Sequence, residues 1–426
     1  MSDDSVTSGK DYLSATEAMQ LLEIRQQTLY AYVSRGWVRS VTQPGRKSHL
    51  YLREDIEKMR ARSQARSGHG VVAASAMNWG EPIIPTSITE ITPEGPRYRG
   101  RLAVQLARSR TSYETVAELL WTGVWHEDAI RWPARNTRPI IRQIRNTIVA
   151  PQTNDQLLET FALFALQLGM PYGSVAERVR SGRTLEAARE MIRALTGCFG
   201  YISKSRRFYT MASGQPIVDG LIKALALPET EENREALEAM LILFADHELS
   251  PGAFAARVAA SGGASLNNCI ASAICVSSGV QIGRLYDRVE EFISNASSKA
   301  ILLRRAQQLQ ERGSAVPGFV HPLYPHGDPR GRYLIELVKQ RKDQSKRLEA
   351  LYGFIEDAES KLGIFPRHEL AVMTLAIAVG LPEHCAGALF SLARTAGYVA
   401  HVQEQRLSGL LLRPRAKFVG QSGIVA

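Results

Sequence analysis

The sequence predicts a mainly α protein in two parts, a small N-terminal module and a long helical body, and three observations lead there. The chain has 426 residues, whereas a single hydrophobic core stops growing at roughly 250 to 300. Beyond Trp79, after a short strand-rich opening punctuated by Pro85 and Pro93, apolar side chains recur at three- and four-residue spacings almost to the end of the chain. Residues 63–76 mix small and polar types with no helical stripe, which marks them as a linker between the parts.

The first part covers residues 1–62. Ser14-Ala15-Thr16-Glu17 has the spacing of a capping box, in which Ser14 satisfies an orphan amide while Glu17 reaches back, so a helix starts at about Ala15. Ala18, Leu21 and Leu22 give it an apolar stripe. A second helix runs over 26–34, with Leu29, Ala31 and Val33 available for packing, and Gly36 ends it. Val38-Arg39-Ser40-Val41, a Pro44-Gly45 turn and His49-Leu50-Tyr51-Leu52 make a two-stranded wing with Arg46 and Lys47 at its tip, and a last helix begins at about Arg53.

Two short helices joined by a tight turn form a helix-turn-helix, whose second helix enters the major groove of DNA. Arg25, Gln26, Gln27, Thr28 and Tyr30 lie near the exposed start of that helix, where donors to bases and phosphates are useful, and Arg46 and Lys47 fall on the phosphate-facing side. Tyr12-Leu13-Ser14, Thr28-Leu29-Tyr30 and the arginine-bearing wing resemble the winged helix-turn-helix of MerR-like and excisionase-like DNA-binding proteins. DNA is therefore the expected partner of this module. The plainer alternative is a piece kept for dimerisation or docking.

Composition narrows the rest. A hydrophobic content of 45% with 22% charged residues belongs to a soluble globular chain, and no stretch approaches the ~18 apolar residues of a membrane span. The opening Met1-Ser2-Asp3-Asp4-Ser5 is acidic and lacks the basic-then-apolar layout of a secretory signal, so the expected location is the cytoplasm. The four cysteines, Cys198, Cys269, Cys275 and Cys385, form no CxxC pair and have no clustered histidines beside them. They are expected to be buried, reduced thiols, and no metal site is expected. The net charge of +10 points to a polyanion, either DNA or the phosphates of a nucleotide, though basic residues are scattered along the chain. No repeat period or low-complexity tract occurs, which argues against a solenoid.

Within the body, helices are expected over 113–121, 154–168, 187–195, 233–245 and 367–379. Three separated segments carry histidine, arginine and acidic residues. They are Ala245-Asp246-His247-Glu248-Leu249, Pro317-Gly318-Phe319-Val320-His321-Pro322 with Gly327-Asp328-Pro329-Arg330, and Arg394-Thr395-Ala396-Gly397. Together with Arg97-Tyr98-Arg99-Gly100, Glu118-Leu119-Leu120-Trp121-Thr122-Gly123, Phe254-Ala255-Ala256-Arg257-Val258 and Arg413-Pro414-Arg415, and in this order, they resemble the citrate synthase family from about Trp79 to Gly420.

The resemblance implies an almost wholly helical, dimeric fold over 77–426, with a large domain of about 77–283 and 372–426 and a small domain of about 284–371. It also implies a closed cleft in which guanidinium groups clamp the two carboxylates of oxaloacetate. By position, His247, His321, Arg330 and Arg394 match the family's ligand-binding residues, and Arg413 matches the arginine donated by the neighbouring subunit. Acetyl-CoA or CoA enters as co-substrate, and no tightly bound cofactor is expected.

The catalytic set departs from the family. Its proton-donating histidine is matched by His321, and its aspartate base by Glu369 in Pro366-Arg367-His368-Glu369. The histidine that steadies the enol should stand in a Gly-Pro-Leu-His-Gly-Gly-Ala-Asn type segment, where this chain reads Gly279-Val280-Gln281-Ile282-Gly283-Arg284-Leu285-Tyr286. Ile282 holds the histidine's place and donates no hydrogen bond, a loss of ~3 to 4 kcal/mol. The extra methylene of Glu369 shifts the carboxylate, and ~1 Å of misplacement can cost ~10²-fold. The combined penalty is on the order of 10⁴-fold if the two act independently. Gln281 and His326 are the nearest alternative donors. Val320 stands where the family has glycine, next to where coenzyme A contacts are made.

Two functions follow. One is a regulator that binds oxaloacetate, citrate or a related acid in a catalytically impaired body and couples that binding to DNA. The other is an active citrate or 2-methylcitrate synthase-like acyltransferase, as a homodimer or as a heteromer with an intact subunit.

Overall fold

The computed structural model describes residues 12–22, 24–34, 38–42, 49–53, 55–56, 84–133, 138–172 and 183–414. Gly36, the Pro44-Gly45 turn, Arg46, Lys47, the linker 63–76 and Arg415 lie outside the described residues. The chain divides into two units, one formed by Met1–Pro85 with Pro414–Ala426 and the other by Thr86–Arg413.

In the first unit, strand β1 (Tyr12–Ser14) leads into the helix Ala15–Leu22, followed by the helix Gln26–Ser34 and strands β2 (Ser40–Thr42) and β3 (His49–Leu52). The sheet is antiparallel in the order β1-β3-β2, with Leu13 opposite Tyr51 and Val41 opposite Leu50. Strand β1 was not among the expected elements. The capping box forms as its spacing requires: Ser14 N donates to Glu17 Oε2 at 2.8 Å and Glu17 N donates to Ser14 Oγ at 3.3 Å. A core of Leu13, Ala18, Leu22, Leu29, Val38, Tyr51 and Ile56 closes the unit. Arg39 forks onto Asp55, Nε to Oδ2 at 2.8 Å and Nη2 to Oδ1 at 2.9 Å, which ties the strand region to the helical turn at Asp55–Ile56.

The second unit opens on a three-stranded antiparallel sheet, β4 (Thr89–Thr92), β5 (Gly95–Tyr98) and β6 (Arg101–Leu102), and is helical thereafter. The periodic segments are helices, displaced at their ends by one to three residues: Tyr113–Thr122, Leu157–Gly169 preceded by a 3-10 turn, Thr184–Cys198, Glu231–Leu243 and His368–Val379. Starts are set by polar caps. The Ser112, Thr230, Ser250, Ser265 and Ser345 side chains each accept from a backbone amide in the first turn that has no partner within the helix.

Helices Pro251–Ser261 and Leu266–Ser277 pack as a hairpin against Leu157–Gly169 and the long helix Ala386–Ser408, which is buried for most of its length. Small residues permit the close approach. At Gly397 a Cβ would overlap Asp246 Oδ1 and the Ala245 carbonyl, and the amide of Gly397 donates to that carbonyl at 2.9 Å. Cys198, Cys269 and Cys385 are buried thiols, but Cys275 is exposed, against expectation, because it lies on the solvent side of Leu266–Ser277.

Candidate functional site

Helix Glu231–Leu243 ends at Phe244, and the chain turns through Asp246-His247-Glu248 before Ser250 caps the next helix. The turn is pinned from below. Buried Tyr98, at the end of β5, donates its hydroxyl to Leu243 O at 2.8 Å and lies 3.1 Å from Asp246 O. Glu248 takes a left-handed φ of 51°, which turns the backbone away immediately after His247.

The second segment, Gly318 to His321, runs beside Phe365 to Arg367. Val320 N donates to Phe365 O at 2.9 Å, Arg367 N donates to Gly318 O at 2.8 Å, and Phe319 bridges Pro366. This short ladder fixes His321 relative to His368 and Glu369. Val320 adopts φ 59°, a conformation in which a β-branched side chain is strained. The glycine expected at that position has a conformational reason.

These segments bring one buried cluster together. The His247 and His321 rings meet edge to face with centroids 5.6 Å apart, and His321 lies 5.9 Å from His368 and 5.3 Å from Tyr324. Arg330, 1% exposed, forks onto Asp328 with Nε to Oδ1 at 3.0 Å and Nη2 to Oδ2 at 2.7 Å, and its guanidinium lies 5.2 Å from the centre of the Phe244 ring. Arg394 donates from Nη2 to Ser250 Oγ at 2.6 Å and holds Nη1 3.7 Å from Asp246 Oδ1. Glu369 pairs with Arg367 at 2.8 Å and lies 3.5 Å from His368 Nδ1. Thus His247, His321, Arg330, Arg394 and Glu369 share a site. Arg413 does not join it within this chain: it is exposed in the segment after the last helix, and no hydrogen bond, ion pair or ring contact links it to the others.

Burial sets the charge states. It lowers the His247 and His368 pKa values well below the usual imidazole range, with Arg330 adding to the effect, and lowers that of His321 to about 4. All three rings are neutral at pH 7. Burial raises Glu369, only partly offset by the Arg367 guanidinium, so its carboxylate is a stronger base than a solvated one. For Asp246 burial pushes the pKa up, but His401 and Arg394 outweigh it and hold the carboxyl at about 2.

The His247 Nδ1 and the hydroxyls of Tyr286 and Tyr324 are buried here with no hydrogen-bond partner, while Asp246 Oδ1 faces His401 and Arg394, and Glu369 Oε2 faces His368 Nδ1, only at 3.4 to 3.7 Å. Each such group costs roughly 1 to 3 kcal/mol. Their concentration in one place is the mark of a site that a ligand completes. His321, Asp328 and His368 also set ligand-type atoms within 4.8 Å of one another. Both Asp328 oxygens already serve Arg330, and Arg330, Arg367 and Arg394 all act on His368, a field that favours an anion.

The family model described as citrate synthase, C-terminal domain, matches residues 77–415. The chain belongs to the citrate synthase family. Among relatives of this family, citrate synthase 2 of Bacillus subtilis is 28% identical over 189 residues, covering 44% of this chain and 51% of that protein. The 2-methylcitrate synthase of Shewanella oneidensis is 27% identical over 200 residues, covering 44% and 51%. The chain thus spans about half the length of these relatives. The citrate synthase of Thermoplasma acidophilum, solved as a ternary complex with carboxymethyl coenzyme A and oxaloacetate, shares the fold, with a TM-score of 0.63 at 19% identity over 83% of this chain and 97% of that one.

Ile282 lies half-exposed on the turn before the helix Arg284–Ile293. The alternative donors named from sequence do not reach the cluster, since Gln281 and His326 are both exposed and His326 packs on Phe365. Among the groups in it that sequence reasoning missed are His368 and Tyr286. His368 stands beside Glu369 in the chain, and Tyr286 follows Ile282 by one helical turn. Both signals were legible as residue types but not as directions.

Proposed function

We propose that this chain binds oxaloacetate, or a closely related dicarboxylate bearing a 2-oxo group, and condenses it with a short acyl-CoA in the manner of a citrate or 2-methylcitrate synthase. The observation that carries this reading is the convergence of three imidazoles, His247, His321 and His368, with the buried guanidinium groups of Arg330 and Arg394 on a site faced by Glu369. Guanidinium groups and neutral imidazoles suit the two carboxylates and the carbonyl of such an acid.

In this scheme Glu369 takes a proton from the acyl methyl or methylene carbon, which attacks the 2-oxo carbon. His321, neutral and therefore still carrying one N–H, gives its proton to the carbonyl oxygen as the new C–C bond forms. Water then cleaves the thioester, leaving the tricarboxylic acid and free CoA. Arg413 would enter from a second subunit, since it stands away from the cluster of its own chain.

The regulatory reading stays beside this one, because Ile282 donates nothing and Arg367 restrains Glu369. The exposed polar face of the first unit favours it too: Arg25, Gln26, Gln27 and Tyr30 are all solvent-facing, with Thr28 half-buried and Gln26 Nε2 donating to the Tyr30 hydroxyl at 2.6 Å. In that reading the acid is an effector and DNA the output.

Calorimetry with oxaloacetate tests the shared core of both, and thermal unfolding gives a second readout, since a ligand at 100 times its Kd stabilises by about 2.7 kcal/mol. Release of free CoA from acetyl-CoA or propionyl-CoA plus oxaloacetate then divides them. Turnover within ~10²-fold of ordinary synthases, against the ~10⁴-fold deficit expected from the two substitutions acting alone, supports condensation. Binding without turnover supports the regulator.

A further inference from the structure

The condensation reading leaves one group unassigned, the donor that steadies the acyl oxygen as the carbon beside it loses its proton. Ile282 donates no hydrogen bond, yet the helical winding reaches back to it: Leu285 N donates to Ile282 O at 3.1 Å and Tyr286 N to Gly283 O at 3.4 Å. Side chains in a helix lean toward its N-terminus, over the turn that precedes them. A long side chain at 286 therefore reaches back toward the turn that carries 282.

Tyr286 is that side chain. It is 1% exposed, its ring centroid lies 5.4 Å from Phe390 and 6.2 Å edge-on from His368, and His368 stacks on the same Phe390 at 5.5 Å. The phenol thus stands in the box of rings that holds the residue preceding Glu369. Its hydroxyl is buried without a hydrogen-bond partner, whereas Glu369 is held by Arg367 on one oxygen and faces His368 Nδ1 at 3.5 Å with the other. A free donor and a held base in one buried box are what a thioester needs on its two sides, the hydroxyl for the carbonyl oxygen and the carboxylate for the adjacent C–H.

We propose that the Tyr286 hydroxyl is the hydrogen-bond donor to the acyl-CoA carbonyl oxygen, taking from one helical turn further on the part that a histidine at position 282 would play. This rests on the condensation reading. Tyr286 keeps its proton throughout: Glu369 accepts the carbon-bound proton, and the electron pair moves onto an oxygen held by the phenol. Burial, and secondly the Glu369 charge, push the hydroxyl's pKa well up, so it stays a donor at any working pH. His368 holds its Nδ1 between Asp328 and Glu369, at 3.7 and 3.5 Å, and orients the base.

Carboxymethyl-CoA, a thioether, sets a negative oxygen within one bond of the place where the acyl oxygen would be charged and needs no turnover to be measured. Its Kd is to be determined calorimetrically with oxaloacetate present, for the natural chain and for Tyr286→Phe, with the oxaloacetate Kd measured alone for each and thermal unfolding confirming that the variant folds. The proposal expects the variant to bind the analogue ~10- to 100-fold more weakly, the loss of one hydrogen bond to a charged group, with oxaloacetate affinity unchanged within about twofold. An unchanged analogue Kd overturns it, as does a natural chain that takes oxaloacetate but not the analogue, and in both cases acid binding stands. A chain that binds no oxaloacetate brings down the reading beneath as well.

Discussion

Three histidines share the cleft, and burial keeps all three neutral at pH 7. For His321 the consequence for stability has a definite sign. Its folded pKa of about 4 lies below the ordinary 6.5, so as pH falls through that window the unfolded chain takes up a proton that the folded chain refuses. Stability from this residue is full above pH 6.5 and is lost between there and about pH 4. Buried carboxyls shifted upward, Glu369 and Glu238 among them, act in the opposite direction over part of the same range, so the contribution is visible only as a difference. His321→Gln removes the titrating ring. Urea unfolding at several pH values should show the natural chain losing on the order of 1.4 kcal/mol per pH unit relative to the variant below pH 6.5. Parallel curves would mean that His321 is solvated. At this scale the sequence was informative about identity and poor about direction. Ile282 and Val320 stand out against the family's residues in a linear reading. Tyr286 and His368 come together only where the helices Arg284–Ile293 and His368–Val379 bring them to Phe390.

The helices were legible because apolar spacing and polar caps agree on them, as at Ser112 before Tyr113–Thr122 and Thr230 before Glu231–Leu243. Their ends were less legible, since burial by other elements extends a helix past its own stripe; Thr184–Cys198 runs three residues past the expected end, and Thr196, Gly197 and Cys198 are all buried. Strand β1 escaped because three residues carry no period, and only pairing with β3 defines them as a strand. The helix Gln26–Ser34 presents Gln26, Gln27 and Tyr30 to solvent, with exposed Arg25 just before it, and buries Leu29, as a helix that lies on a polyanion should. If it does, Arg25 replaces one counterion on the duplex. Arg25→Ala should weaken DNA binding across sequences and reduce the slope of log affinity against log salt by about 0.9. Fluorescence anisotropy at a series of salt concentrations reads this directly. An unchanged slope would favour a docking role for the module.

At the scale of the whole molecule, fold and family were readable because many ordered segments agree, whereas the use of the first unit was not, since exposed polar side chains alone do not name a partner. Linkage supplies the test. If acid binding in the body changes the DNA affinity of the first unit by some factor, DNA must change acid affinity by the same factor, because both describe one coupling free energy. A regulator needs that factor to be at least about tenfold, which is roughly 1.4 kcal/mol. With a duplex obtained by selection against the full chain, oxaloacetate should be titrated calorimetrically with and without saturating DNA, and DNA by anisotropy with and without saturating oxaloacetate. Equal ratios well away from one would establish communication and give its size, even in a chain that also turns over acyl-CoA. Ratios of one in both experiments would mean that the two units work independently and that the cleft answers only to its own chemistry.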